Sequence, residues 1–299
     1  MVWVIGSTGM LGSELCRVLG DNGIPYAGSG SSVSILSGSA LEAFAAGKDI
    51  SFIVNCAAYT AVDKAESEAD KARALNADGP ENVARLAKKL SVPLIHISTD
   101  YLFDGTASSP ITEDSPISPI GVYGKTKALG ERAVLDAADD FYILRTAWLY
   151  GFHGKNFVYT MIRAMNSRES VRVVSDQRGT PTNCRTLSSV IAGIIGRRLD
   201  GGKVAGGVYN VTDGGETTWF GFAEEIFSEG KKSGLITNGG CVISPCSTEE
   251  YPTPAKRPAY SVLDKSKIQR ELGIVLPDWT ESLRSFLNSP LFDKTYAEQ

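Results

Sequence analysis

The sequence predicts an α/β protein, a doubly wound parallel sheet with a smaller C-terminal domain, and three observations carry that expectation. An apolar run at Val2–Ile5 passes through a glycine-punctuated turn into a helical pattern. Short apolar runs then alternate with helical stretches as far as about Arg145, and buried strands alternating with helices imply a parallel sheet. Beyond Arg145 the alternation loosens into helices separated by Gly-rich and Pro-rich loops.

Taken in order, Val2–Ile5 reads as the first strand, and Leu11, Leu15, Val18 and Leu19 recur at helical spacing after the turn. A second strand is expected at about Ile24–Gly28, with others at Ile50–Val54, Leu94–Ile97 and Phe141–Leu144. Helices are expected at Ala69–Leu90 and Lys127–Ala138, and in the second half near Asn156–Met165, Leu187–Leu199, Phe220–Glu229 and Trp279–Leu287. Gly201–Gly207 and Thr237–Gly240 read as surface turns, and Pro252, Pro254 and Pro258 mark an extended segment. The expected nucleotide-binding domain takes residues 1–147 and about 171–213, the second domain about 148–170 and 214–299.

Composition narrows the function classes. With 42% hydrophobic residues, 21% charged residues and a net charge of -4, the chain reads as soluble and lacks the basic excess that nucleic-acid binding needs. No apolar run approaches the ~20 residues of a membrane span, and the first residues read as a strand, not a leader, so a cytoplasmic location is expected. The five cysteines lack redox or metal-site spacing and are expected to be reduced. Only His96, inside a strand pattern, and His153, in a loop, are available, which argues against a His-dependent triad or a His-rich metal site.

Gly6-Ser7-Thr8-Gly9-Met10-Leu11-Gly12 has the spacing GxxGxxG between a strand and a helix. Glycines there permit a tight turn and close backbone approach to a pyrophosphate, which the free N–H groups of the helix N-terminus attract. This is the Rossmann-type arrangement, so Gly6, Thr8, Gly9, Met10, Leu11 and Gly12 are the expected cofactor contacts. After the second strand stands Ser29-Gly30-Ser31-Ser32, where an NAD-binding chain would carry Asp or Glu. No carboxylate repels a 2′-phosphate and three hydroxyls could donate to one, so NADPH is expected, contacted by Ser29. NADH is the alternative, because the usual arginine is also missing.

Tyr123 and Lys127 form YxxxK, and on a helix positions i and i+4 share a face. A neighbouring ammonium is expected to lower the phenol's pKa, so that it exchanges a proton with a carbonyl oxygen during hydride transfer. Upstream, Ser98-Thr99-Asp100-Tyr101 follows the strand Leu94–Ile97, and parallel sheets place ligand contacts at strand C-termini. Glycine turn, strand-end hydroxyl and YxxxK in this order point to an NAD(P)H-dependent oxidoreductase.

Along nearly its whole length the sequence resembles the dTDP-4-dehydrorhamnose reductase family of extended short-chain dehydrogenase/reductases. The most specific stretches are Val54 to Glu66 (VNCAAYTAVDKAE), the Asn76 segment and His96 to Gly105 (HISTDYLFDG). Val122 to Lys127 (VYGKTK), Leu144 to Gly151 (LRTAWLYG), Asp176 to Thr182 (DQRGTPT) and Arg257-Pro258 follow. The resemblance implies reduction of the 4-keto group of dTDP-4-dehydro-β-L-rhamnose to dTDP-L-rhamnose. It implies Thr99, Tyr123 and Lys127 as the catalytic trio, with Ala57, Ala58, Tyr59, Tyr123 and Lys127 beside the nicotinamide. It also implies Val62, Asp100, Tyr101 and Trp148 around the sugar, and Asn156 and Arg257 as nucleotide contacts.

Some members of that family dimerise around a magnesium ion held by carboxylates, one just after the Pro-Thr of the DQxGxPT motif. Here that neighbourhood is Asn183-Cys184-Arg185, without an acid, so no metal is expected and Glu14 reads as a helix-surface residue. The expected assembly is a monomer or a homodimer. Two other readings stand beside the main one. The first is a reductase or epimerase of another nucleotide-linked keto sugar. The second is a non-catalytic NADP-binding subunit resembling the regulatory subunit of methionine adenosyltransferase, for which the trio would be superfluous.

Overall fold

Val2, Trp3, Val4 and Ile5 are all buried, as a strand covered on both faces must be, and β1 (Val2–Ile5) lies inside the sheet. The structure, a computed structural model, describes residues 1–298. β2 (Tyr26–Ser29), β3 (Phe52–Asn55), β4 (Leu94–Thr99), β5 (Phe141–Thr146) and the later strand Gly207–Asn210 complete a six-stranded parallel sheet. Its order is β2-β1-β3-β4-β5 and then Gly207–Asn210, so the chain reverses direction at β1 and opens a crevice between β1 and β3.

Side chains alternate across the sheet with period two. Val2 and Val4 join Leu15, Val18 and Leu19 of α1 (Met10–Asp21), against which Leu187 and Ile191 of the helix Cys184–Leu199 pack. Trp3 and Ile5 face the other way, towards Leu41 of α2 (Gly38–Ala45). The short α3 (Val62–Ala65) and α4 (Ala69–Arg73) follow β3.

The stretch expected as one helix at Ala69–Leu90 is interrupted. A π-helical turn, Ala74–Asp78, separates α4 from α5 (Gly79–Leu90). Pro80 accounts for it, because it has no N–H to return to the Asn76 carbonyl in an α-helical bond. That carbonyl lies against Gly130 of α6 (Val122–Ala137), where any Cβ would collide with it. α6 begins five residues before the expected Lys127 start, so Tyr123 lies in its first turn.

The remaining core is separate and aromatic: Tyr150, Phe152, Phe222, Trp279 and Phe286 belong to it. It includes Val171 and Val173 of a parallel pair, Ser170–Val174 with Val242–Cys246, that the sequence reading did not anticipate. Conversely Ile268, Leu272 and Leu276 pack with the main sheet. Both placements move chain across the division expected at 171 and 214.

One buried charge pair joins sheet to helix. Arg145, the fifth residue of β5, donates from Nε and Nη2 to both carboxylate oxygens of Glu131 on α6, at 2.9 and 2.8 Å. Their side chains are 4% and 1% exposed. Removing one partner strands a buried charge, which costs about 3–5 kcal/mol, whereas replacing both with apolar groups is often near neutral. We predict that Glu131→Gln lowers the unfolding free energy by about 3 kcal/mol in urea titrations, and that the double substitution Glu131→Met, Arg145→Met loses less. A loss below about 1 kcal/mol for the single variant would refute this account of the pair.

Candidate active site

The glycine turn is shaped by what its missing Cβ atoms allow. Gly6 has φ +78°, and a Cβ there would sit 2.8 Å from the Ala57 nitrogen. At Gly12 a Cβ would collide with the Gly6 carbonyl. The start of α1 can therefore press onto the turn, and β1's exit onto β3's exit. Gly9 is the N-cap of α1 and no side chain caps it, so the first-turn N–H groups stay free for an anion.

At the end of β4, Thr99 donates from Oγ1 to Asp100 Oδ1 at 3.1 Å and accepts from the Tyr101 N–H at 3.2 Å. Lys127 is 2% exposed and its Nζ donates to the Ile97 carbonyl at 2.6 Å. Burial lowers its pKa to about 8 against the opposing pull of Glu131, one helical turn further on. Burial pushes Tyr123 up to about 12, and the Thr99 hydroxyl works the other way. The expected depression of the phenol by Lys127 is thus not what this arrangement does: desolvation wins, and the ammonium is turned to a backbone carbonyl. Asp100, 2% exposed, is pushed up to about 6 by burial, although hydrogen bonds from Ser261 and Thr99 favour its charged form.

These residues meet in a cleft of about 430 Å³ that runs from the glycine turn to the second core. Gly9, Met10 and Leu11 line one end and Ala57, Ala58 and Val62 one wall. Thr99, Asp100, Tyr123, Lys127 and Trp148 line it as well. Lining residues not expected from the sequence include Ser98, Thr146, Leu149 and Lys155, of which Ser98 had a signal as the residue before Thr99. Tyr101 also borders a second cavity of about 400 Å³, where Phe157, Trp219 and Tyr251 supply rings and Arg172 and Arg257 supply charge.

Several expected contacts lie elsewhere. Ser29 is buried and its hydroxyl accepts from Trp3 Nε1 at 2.9 Å, so only Ser31 and Ser32 stand exposed after β2. Thr8 is exposed against Gly30, outside the cleft lining. Tyr59 turns its ring away and donates to Glu68 at 3.1 Å, and its backbone N–H and carbonyl are both held by Asn76. Asn156 caps the helix Phe157–Ser167, accepting from the Tyr159 N–H at 3.2 Å and donating to the Gly151 carbonyl at 2.8 Å. Arg257 lines the second cavity while bound to Asp63. Glu14, expected on a helix surface, is 1% exposed and pairs with Arg17 at 2.5 Å. Arg185 is exposed, and among the described residues no three acidic, His or Cys side chains group as a metal site.

Compared with known proteins, residues 1–291 match the family described as RmlD substrate binding domain. The chain is 43% identical over 233 residues to the dTDP-4-dehydrorhamnose reductase of Sinorhizobium fredii, covering 78% of each chain. It is 38% identical over 284 residues to that of Burkholderia thailandensis, covering 93% of this chain and 95% of the relative. The crystal structure of a dTDP-4-dehydrorhamnose reductase from Clostridium acetobutylicum superposes with a TM-score of 0.88 at 38% identity, covering 96% of this chain and 98% of that one. The Bacillus anthracis enzyme in complex with NADP gives 0.87 at 36% identity, with 95% and 97% covered.

Trp148 has φ +47° and stacks on Trp219, ring centroids 3.7 Å apart at 10°. Its ring fits only because Gly179 has no side chain, since a Cβ there would lie 2.5 Å from the indole. We predict that Gly179→Ala costs about 1–3 kcal/mol in urea unfolding, the usual range for overpacking. A stability within about 0.5 kcal/mol of the parent would mean that the indole moves aside freely.

Proposed function

Because the chain belongs to the RmlD substrate binding domain family, we propose that it catalyses the NADPH-dependent reduction of the 4-keto group of dTDP-4-dehydro-β-L-rhamnose to dTDP-L-rhamnose. The observation that carries this reading is the convergence of Thr99, Tyr123 and buried Lys127 on a cleft that begins at an uncapped helix N-terminus. The site fits a dinucleotide. Gly6 and Gly12 let the turn close onto β3 and α1, which brings Gly9, Met10 and Leu11 and the free N–H groups of the helix start to the cleft for a pyrophosphate, and no acid stands at the exit of β2, where Ser31 and Ser32 are exposed. When bound, the reduced nicotinamide supplies a hydride to the carbonyl carbon.

The protein's own residues handle the oxygen. Tyr123, kept protonated by burial, gives its proton to the developing alkoxide. Thr99 exchanges its Asp100 acceptor for the keto oxygen and stabilises the same charge by a hydrogen bond. Lys127, charged below about pH 8, favours the tyrosinate that remains. Val62, Tyr101 and Trp148 surround the sugar. In the second cavity Phe157 and Trp219 face the base, and Arg172 and Arg257 the diphosphate. Among the described residues no helix is long and apolar enough to cross a membrane. We place the enzyme in the cytoplasm, as a monomer or homodimer.

The test follows NADPH absorbance with dTDP-, UDP- and GDP-linked 4-keto-6-deoxy sugars side by side. The dTDP compound should turn over fastest, and NADPH should give a higher kcat/KM than NADH. No oxidation with any of the three, by protein that binds NADPH, would overturn the reading. Tyr123→Phe should lower turnover by ~10²–10⁴-fold, the usual range for general acid catalysis. A loss below about tenfold, with chemistry rate-limiting, removes Tyr123 from its role.

The sign of the pH dependence follows from Lys127, which carries its charge below a pKa of about 8 and loses it above. Reduction should therefore slow by ~tenfold per pH unit on the alkaline side. A rate that stays flat to about pH 10 would show that no contributing charge is lost from Lys127 near pH 8.

A further inference from the structure

Asp63, in the second position of α3, and Arg257, far along the chain, form the longest-range ion pair joining the two sides of the site. Arg257 Nη2 donates to Asp63 Oδ2 at 2.8 Å and Nη1 to Oδ1 at 3.1 Å, a paired fork that fixes the guanidinium plane. The same carboxylate accepts the Ala255 N–H at 3.2 Å, so it holds the backbone of the segment as well as the side chain. Arg257 Nη1 is further engaged by the Ala255 carbonyl at 3.1 Å and by Thr253 Oγ1. The pair lowers the Asp63 carboxyl below its ordinary value, chiefly through the hydrogen bond from Arg257.

The surroundings make this a placement device. Pro258 lies against Gly105, which has φ +86° and whose Cβ would come within 2.6 Å of the proline Cα, so the segment is pinned at its other end. Arg257 keeps 22% of its side chain exposed and lines the second cavity with Arg172 and Tyr101. Val62, the residue before Asp63, lines the first cleft beside Thr99 and Tyr123. One short helix thus borders the reacting end of the cleft and orients a cation in the adjoining cavity.

We propose that Asp63 is a positioning residue for substrate binding: by holding Arg257 in a fixed plane at the cavity mouth, it presents the guanidinium to the diphosphate of the nucleotide sugar. The proposal rests on the nucleotide-sugar reading above. Asp63 lines neither cavity and acts through Arg257. The consequence of this half-buried pair is read in substrate affinity rather than in unfolding.

The test is a double-mutant cycle on the full chain with NADPH and dTDP-4-keto-6-deoxy sugar, using Asp63→Asn, Arg257→Met and both together. Asp63→Asn should raise KM for the sugar nucleotide about fivefold or more, about 1 kcal/mol, with kcat changed less than about threefold. Its effect should vanish once Arg257 is Met. dTDP affinity by calorimetry should fall in parallel, while NADPH affinity stays within about twofold and serves as the check on folding. If Asp63→Asn fails that check, Arg257→Lys, which keeps the charge and loses the fork, should show the same rise in KM. An unchanged KM, a fall in kcat alone, or effects of the two substitutions that simply multiply would each overturn the proposal. Failure of the parent protein to bind dTDP would instead sink the nucleotide-sugar reading itself.

Discussion

The buried ion pair between Glu131 and Arg145 is the contact on which the site's arrangement depends. Tyr123, Lys127 and Glu131 follow at four-residue spacing, so they stand one above another on α6, and the pair fastens the bottom of that ladder to β5. β5 neighbours β4 in register, Thr146 beside Thr99, so fixing α6 on β5 also fixes the phenol and ammonium over the strand end that carries Thr99. Lys127 gains electrostatically, because the acid one turn away opposes the loss of its proton that burial favours. Ion pairs of this kind repay their desolvation poorly as stabilisers. Here the pair sets geometry and the charge state of a neighbour.

Close approach between elements supplies the rest of the shape. The glycine turn meets Ala57 because Gly6 has no side chain, and α6 meets the interrupted helix because Gly130 has none. The interruption leaves Asn76 fully buried, where its side chain holds both polar groups of the Tyr59 backbone and donates to Thr126 of α6 at 3.1 Å. The wall formed by Ala57 and Ala58 is therefore tied to the helix that carries the phenol.

The features readable from sequence were those set by local rules. The strand cores, the glycine turn and the shared face of Tyr123 and Lys127 follow from period, turn chemistry and helical spacing, and all appear as expected. What the sequence did not convey is which way a side chain faces in three dimensions. Ser29 ends an edge strand and turns inward to Trp3, so its hydroxyl is not available after β2. Tyr59 turns towards Glu68. The phenol's pKa followed burial, which sequence spacing does not encode. Asp63 and Glu131 lay within or beside recognised motifs, but their partners, Arg257 and Arg145, are distant or on another element. Glu131 had a readable signal, four residues beyond Lys127 on the same helix face.

The two cores meet at Trp148 and Leu149. Leu149 packs with the main sheet and Trp148 with the aromatic core, so successive side chains serve opposite sides. Trp148, between the end of β5 and Leu149, takes a left-handed conformation. For a non-glycine residue this costs of order 1–3 kcal/mol. The stack on Trp219 and the room left by Gly179 offset that cost. Because the strained residue also lines the cleft, the turn that joins the cores is the one that places an aromatic edge beside Thr99 and Tyr123. A glycine there would take the turn without strain but would leave the cleft without the indole on its lining.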